Sequence, residues 1–383
     1  MLSNLQIAAL LSIPNIGKKS VIKIIESNPP FIKDPIEFYN SICSKTKTLS
    51  KSLFLNHYEK VIEDFDRLKI EKINTVGFND IEFPILLKEI QDPPVILYYR
   101  GDISCLNDYP TVAVIGTRNP SVWGDKMGHR VGEHLAENNI TVVSGLALGC
   151  DTAAHKGCLS KNGRTAAFLA HGLHKIYPRQ NQILADQIID SGGCLLSEYS
   201  YGIEPQKYYF VERDRLQSGS SLATVVIETN EKGGSMHTVK FTENQKRLLY
   251  CISHPVEKQN DMSKGNKKLI EEKRAVPVKD SKDVYDLMNK IKYEYFERLN
   301  KSNTLDNPEI FEENNKESNL TLSIENFAKR VNRKPATVKK YFHKPNKFKE
   351  WSNKLDPDYE WKYDDKKKLF YGMPIDNYKL PLE

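Results

Sequence analysis

Five segments of this 383-residue chain combine glycine, hydroxyl and cationic residues in the way phosphate recognition requires. Gly116-Thr117-Arg118 follows an apolar run; glycine lets backbone amides approach an anion closely, and arginine offers a planar two-point donor. Ser144-Gly145-Leu146-Ala147-Leu148-Gly149 precedes helix-compatible sequence, so Asp151 is expected to cap that helix, with Ser144 and the Gly145 amide lining an anion nest near Gly149. The run 170–181 gathers Lys175, Tyr177, Arg179 and Asn181, with cations for phosphates and an aromatic ring for sugar or base. The run 210–221 places Arg213 and Arg215 two residues apart on a predicted helix, hence on different faces. One is expected to pair with Glu212 or Asp214 and the other to face a crevice. The fifth, 228–235 (ETNEKGGS), sets Gly234 and Ser235 before another helix as a further anion site.

Each segment alone also reads as an ordinary turn with a solvated cation. His155, one turn into its helix, reads as a packing or hydrogen-bonded histidine; without a paired nucleophile it supports no hydrolytic mechanism, and no enzyme activity is expected. The six cysteines show no CxxC pair and no Cys/His quartet, so neither a metal nor any other cofactor is expected, and the thiols are expected reduced and in the core.

The elements that must carry these loops follow from hydrophobic patterning. Apolar runs at 111–115, 141–143, 165–169, 194–197, 223–228 and 248–252 alternate with helix-compatible stretches, which predicts an α/β fold: a Rossmann-like, doubly wound, mostly parallel sheet. Its ligand crevice then lies at the carboxyl ends of the strands, where all five loops would converge. Residues 1–70 have helical spacing, 71–290 form the Rossmann-like domain with a lead-in segment at 77–101 whose strand is expected as an edge or outer strand, 291–319 are an Asn/Glu-rich linker, and 320–383 a basic tail. Lys plus Arg number 56 against 50 Asp plus Glu, a formal charge of +6, so placement of charge matters more than its excess. No stretch reaches the roughly 20 apolar residues of a membrane span and the N-terminal run lacks a basic flank, so a cytoplasmic location and no membrane contact are expected.

In order along 77–278, GTR (116–118), SGLALGCDTAAH (144–155), GLHKIYPRQN (172–181), SEYSYGIEP (197–205), FVERDRLQSGSS (210–221), VVIET (225–229), GGSMHTV (233–239) and SKGNKKLIEE (263–272) resemble the DNA-processing protein A family (DprA/Smf). The resemblance implies a Rossmann-like core that binds single-stranded DNA in a positive pocket, supports DNA uptake and recombination in natural transformation and competence, and hands the strand to the RecA recombinase. Carried to matching positions, Arg118, Ser144, Gly145, Arg179, Arg213 and Arg215 would contact or organise the phosphate site. The chain departs from the family pattern where FPxRNR reads Phe210-Val211-Glu212-Arg213-Asp214-Arg215, where Cys150 replaces an aliphatic residue, and where Arg274 precedes Ala275. These departures mark a divergent member. The alternative on this fold is a nucleotide-ligand sensor or nucleoside-phosphate hydrolase, in a defence-system setting; the hydrolase pattern PGGxGT is absent from Glu231-Lys232-Gly233-Gly234-Ser235.

Two flanking modules offer auxiliary DNA contacts. Residues 12–20 resemble the turn of a helix-hairpin-helix (or SAM-like) module, with Asn15 in the left-handed position, Gly17 offering amides and Lys18 adding charge; packing or self-association is the other reading. Residues 320–342 read as a helix-turn-helix or winged-helix module carrying Arg333, Lys334, Lys339 and Lys340, with a wing hairpin around Asp364-Asp365. Nine Lys/Arg fall between 320 and 351 against two acids, which concentrates the basic excess there. Single-stranded DNA is the expected partner, with the RecA recombinase and a second copy of the chain as further candidates.

Overall fold

The computed structural model describes residues 2–43, 50–303, 320–322, 327, 338, 348, 359–364 and 369–374. The chain divides into two compact units, Met1–Tyr295 and Phe296–Glu383. The strands of the first are β1 (Asn74–Gly77), β2 (Ile96–Gly101), β3 (Thr111–Ile115), β4 (Thr141–Ser144), β5 (Thr165–Leu169), β6 (Cys194–Ser197), β7 (Ala223–Val226), β8 (Leu248–Ile252) and β9 (Val276–Val278). The helices are α1 (Asn4–Ser12), α2 (Lys18–Glu26), α3 (Pro35–Phe38), α4 (Lys51–Ile70), α5 (Ile85–Lys88), α6 (Val122–Glu137), α7 (Cys150–Ser160), α8 (Gln182–Asp190), α9 (Lys207–Gly219), α10 (Ser235–Asn244), α11 (Lys264–Glu271) and α12 (Ser281–Asn303).

The nine strands form one sheet in the order β1-β2-β6-β5-β4-β3-β7-β8-β9. From β6 to β9 every pairing is parallel, while β2 runs antiparallel to β6, and β1 antiparallel to β2. Strands β3 to β7 are buried throughout, as residues covered by helices on both faces must be, which explains why they read as predominantly apolar runs. The chain winds outward from β3 through β4 and β5 to β6, then returns to place β7 on the other side of β3. The topological switch therefore lies between β3 and β7. This is the doubly wound, mostly parallel sheet expected, with a mixed edge.

The N-terminal helices belong to the same unit. Ser3 and Gln6 form a reciprocal capping box at α1, and Phe38, Phe54 and Tyr58 stack into an aromatic cluster with centroids 5.5–6.3 Å apart. Leu10, Val21 and Phe54 share one apolar cluster with Ile96, Leu169 and Leu184 of the sheet and α8, so the helices cover sheet surface that water would otherwise meet. The turn between α1 and α2 holds Asn15 at φ 68°, the left-handed conformation expected of it. Among the described residues no helix is long and apolar enough to cross a membrane.

In the second unit β10 (Leu320–Leu322), β12 (Leu369–Pro374) and β11 (Tyr359–Asp364) form an antiparallel sheet in that order, with Tyr363 opposite Phe370. The two strands on either side of the expected wing hairpin thus pair, and Asp365 lies outside the described residues. Phe327 and Val338 are helical and fully buried, with the Phe327 ring 5.8 Å from that of Phe348. The rest of the predicted helix-turn-helix, including Arg333, Lys334, Lys339 and Lys340, lies outside the described residues.

Candidate nucleic-acid interface

At the carboxyl ends of the parallel strands, the loops after β3 and β4 hold each other through backbone contacts. The Thr117 N–H donates to the Glu228 carbonyl at 2.7 Å, and the Cys150 N–H to the Thr117 carbonyl at 3.1 Å. Gly149 makes this clasp possible: its φ is +82°, and a Cβ there would stand 2.5 Å from the Thr117 oxygen and 2.6 Å from the Arg118 carbonyl carbon. Gly116 packs as closely against Cys150. Gly149, not Asp151, therefore starts α7; Asp151 lies inside the first turn and accepts from the Ala147 N–H at 3.3 Å.

These contacts alter the expected chemistry of the nest. The Ser144 hydroxyl is fully buried and donates to the Val114 carbonyl at 2.6 Å, so it joins β4 to β3 instead of facing a ligand. With the Gln217 amide turned to satisfy its neighbours, its oxygen accepts from the Gly145 N–H at 3.3 Å and from the Arg213 guanidinium. The amides of Thr117, Gly145, Ala147 and Cys150 are thus all used within the protein. A Cβ on Gly145 would collide with the Arg213 guanidinium and with Asp151, so the glycine's service is to admit those charges. Asn181 is buried and donates to the Leu146 carbonyl and the Thr152 hydroxyl, both at 2.9 Å; it pins the β4 loop. His155 is a core residue: its Nε2–H donates to the Gly145 carbonyl at 2.7 Å, its Nδ1 lies 2.6 Å from the Thr165 hydroxyl, and burial lowers its pKa.

What faces outward is a cleft of about 240 Å³. Leu146, Phe168 and Ala170 give it apolar walls, Arg213 a buried cation, and Arg118, Tyr177 and Phe210 its mouth. The exposed Arg118 guanidinium sits 5.2 Å from the Phe210 ring centroid, and the Phe210 and Tyr177 rings are 6.0 Å apart. Arg179 is exposed, and neither it nor Arg118 makes an ion pair among the described residues. Arg213 lies 3.8 Å from Asp214, whose carboxyl burial pushes up to about 6 against the opposing pull of Arg213.

Other expected contacts lie elsewhere. Arg215 is buried and paired with Glu198 and, at 3.1 Å, with Asp92; Lys18 reaches the same Glu198 at 2.7 Å and Asp92 at 3.6 Å. Both cations are committed to joining α9, β6 and α2, because burying Glu198 requires partners for its charge. Gly17 starts α2 in extended conformation and has no side-chain cap. Lys175 pairs with Glu204 at the surface. Gly234 and Ser235 start α10, and the loop after β7 contributes nothing to the cleft walls. Four of the five expected loops line the cleft.

The switch point between β3 and β7 is filled by Glu228, which the sequence places at the end of a strand and the start of the fifth segment, with no role of its own expected. Its buried carboxylate accepts from the Ser121 N–H at 2.6 Å, the Ser121 hydroxyl at 2.9 Å and Asn260 at 3.1 Å, with His254 at 3.3 Å. Burial opposes its ionisation, but these hydrogen bonds prevail and hold its pKa near 2. An acidic residue closing the run Val225-Val226-Ile227 was the available signal.

Residues 74–289, which carry this whole cleft, match the family model described as DNA recombination-mediator protein A. The chain is 38% identical over 177 residues to Protein Smf of Synechocystis, a match covering 45% of this chain and 44% of that one, and 34% identical over 221 residues to the DNA processing protein DprA of Streptococcus pneumoniae, covering 58% and 77%. It thus spans less than half the length of the Synechocystis relative. The crystal structure of the S. pneumoniae protein superposes with a TM-score of 0.62 at 29% identity, over 74% of this chain and 97% of that one. The Helicobacter pylori DNA processing protein A, described for its mode of binding single-stranded DNA, gives 0.51 at 28% identity, over 58% and 97%. With the fold, the loop order and the matched segment in agreement, this chain belongs to the DNA recombination-mediator protein A (DprA/Smf) family.

Proposed function

We propose that the chain binds single-stranded DNA in the cleft between the β3, β4 and β5 loops and α9, as a DNA-processing protein that holds a strand without catalysing chemistry on it. The observation that carries this reading is the mouth of the cleft: exposed Arg118 beside Phe210 and Tyr177, over apolar walls. A guanidinium serves phosphate, the rings serve a base, and an unpaired base alone can enter an apolar recess. The Thr117, Gly145, Ala147 and Cys150 amides are used internally, so the side chains at the mouth lead the recognition. The cytoplasm is the setting, DNA uptake and recombination the role, RecA recombinase the partner that receives the strand, and a second copy of the chain a further partner. Lys18 and Arg215 act indirectly, by fixing α9. The basic tail recruits nucleic acid to the core through Arg333, Lys334, Lys339 and Lys340.

Titrating the full chain with labelled single-stranded DNA, duplex DNA and RNA of equal length tests the proposal. Single-stranded DNA is expected to bind at least about 10-fold more tightly than duplex at moderate salt, since duplex bases are stacked inward and offer the cleft only phosphates. Equal affinity for single strand and duplex would refute it.

A further inference from the structure

The first turn of α9 carries three consecutive aromatics, Tyr208, Tyr209 and Phe210. Neighbouring helical residues point about 100° apart, so they cannot share one partner. Phe210 turns to Tyr177 and Arg118 at the cleft mouth. The Tyr209 ring instead lies between two others, its centroid 4.2 Å from Tyr199 and 4.2 Å from Tyr208. Tyr208 is 54% exposed, so this row meets solvent at its outer end, and Tyr177, 48% exposed, does so at the cleft mouth. The Tyr199 hydroxyl donates to the exposed Glu212 carboxylate at 2.9 Å. A carboxylate there repels a phosphate and leaves the ring faces to an uncharged group. The flanking exposed Lys207, with Arg118 and Arg179, puts attraction for the backbone beside the rings.

We propose that Tyr208, Tyr209 and Tyr199 form a base-stacking ladder that starts one residue from Phe210 on the same helical turn, which takes unpaired bases next to the nucleotide held at Arg118, Phe210 and Tyr177. The proposal rests on the single-strand reading above and adds to it a second subsite of different chemistry: the cleft mouth recognises phosphate and base together, the ladder only base faces. It therefore tolerates any base, because every base has a stacking face.

Two probes separate the contributions: an oligothymidylate and an abasic sugar–phosphate strand of the same length, each labelled and titrated against the full chain at constant salt. The native chain is expected to prefer the oligothymidylate. Tyr208→Ala with Tyr209→Ala is expected to weaken oligothymidylate binding about 10-fold and to leave abasic-strand binding unchanged, while Tyr208→Phe with Tyr209→Phe, which keeps the rings, binds as the native chain does. Unchanged oligothymidylate affinity in the alanine variant, or equal loss on both probes, would overturn the ladder and leave the single-strand reading standing. Failure of the native chain to bind either probe would overturn both.

Discussion

Arg118 and Arg213 lie at one cleft yet differ in what their surroundings let them do. Arg118 is exposed, rests against a ring and keeps its donors for a ligand; Arg213 is buried, shared with Gln217 and neighbour to Asp214. Asp214 stands where the family pattern has asparagine, and its environment explains the cost of that exchange. Burial raises its pKa from the usual carboxylate range to about 6, so the folded protein holds the proton more tightly than the unfolded chain. The sign follows: stability from this group is full below the unfolded value of about 3.9 and is lost as pH rises through about 6. Asp214→Asn should stabilise the protein by about 3 kcal/mol at pH 8, the attraction to Arg213 being already contained in the raised pKa, with the gain shrinking toward pH 4. Urea unfolding at the two pH values measures it; an equal difference at both would contradict the assignment.

At the scale of elements, α9 does two jobs on two faces. Phe210, Arg213 and Gln217 follow helical spacing toward the cleft, and Arg215 points into the joint with β6 and α2. The expectation that one arginine faces the crevice and the other pairs with an acid was legible from their spacing. Which acids would serve was not, because Glu198 and Asp92 come from distant segments. Arg215→Ala should cost about 3 kcal/mol, since it removes a cation from a buried carboxylate, and a urea midpoint with the slope unchanged would register it. A loss below about 0.5 kcal/mol, the level of an exposed pair, would show the joint to be dispensable. Strands β3 to β8 were legible because burial on both faces makes them predominantly apolar. Strands β1 and β9 were not, being short and partly exposed at the sheet edges. The Asp151 cap was misjudged because the positive φ of Gly149 takes over that position, and no propensity for capping residues anticipates it.

For the whole molecule, the order of loops along the chain was enough to indicate one crevice, and the sheet order then decided its membership. Because β7 lies on the far side of β3, its loop, which carries Glu228, packs against Ser121, His254 and Asn260, leaving the loops of β3, β4, β5 and the β6–α9 connection to enclose the cleft. Gly234 and Ser235 looked equivalent to the other turns in sequence; only topology separates them. Of the amides in the second turn, which has the composition of an anion nest, those of Gly145, Ala147 and Cys150 are occupied by Gln217, Asp151 and Thr117. The side chains at the cleft mouth make the recognition testable by substitution. The most direct measurement is the salt dependence of single-strand affinity for the full chain and for Arg118→Ala with Arg179→Ala. If both guanidiniums neutralise phosphates, the slope of log affinity against log salt should become shallower by about 1.4, at about 0.7 per contact on a single strand, with weaker binding at low salt. An unchanged slope and affinity would contradict the central claim that this cleft holds the strand.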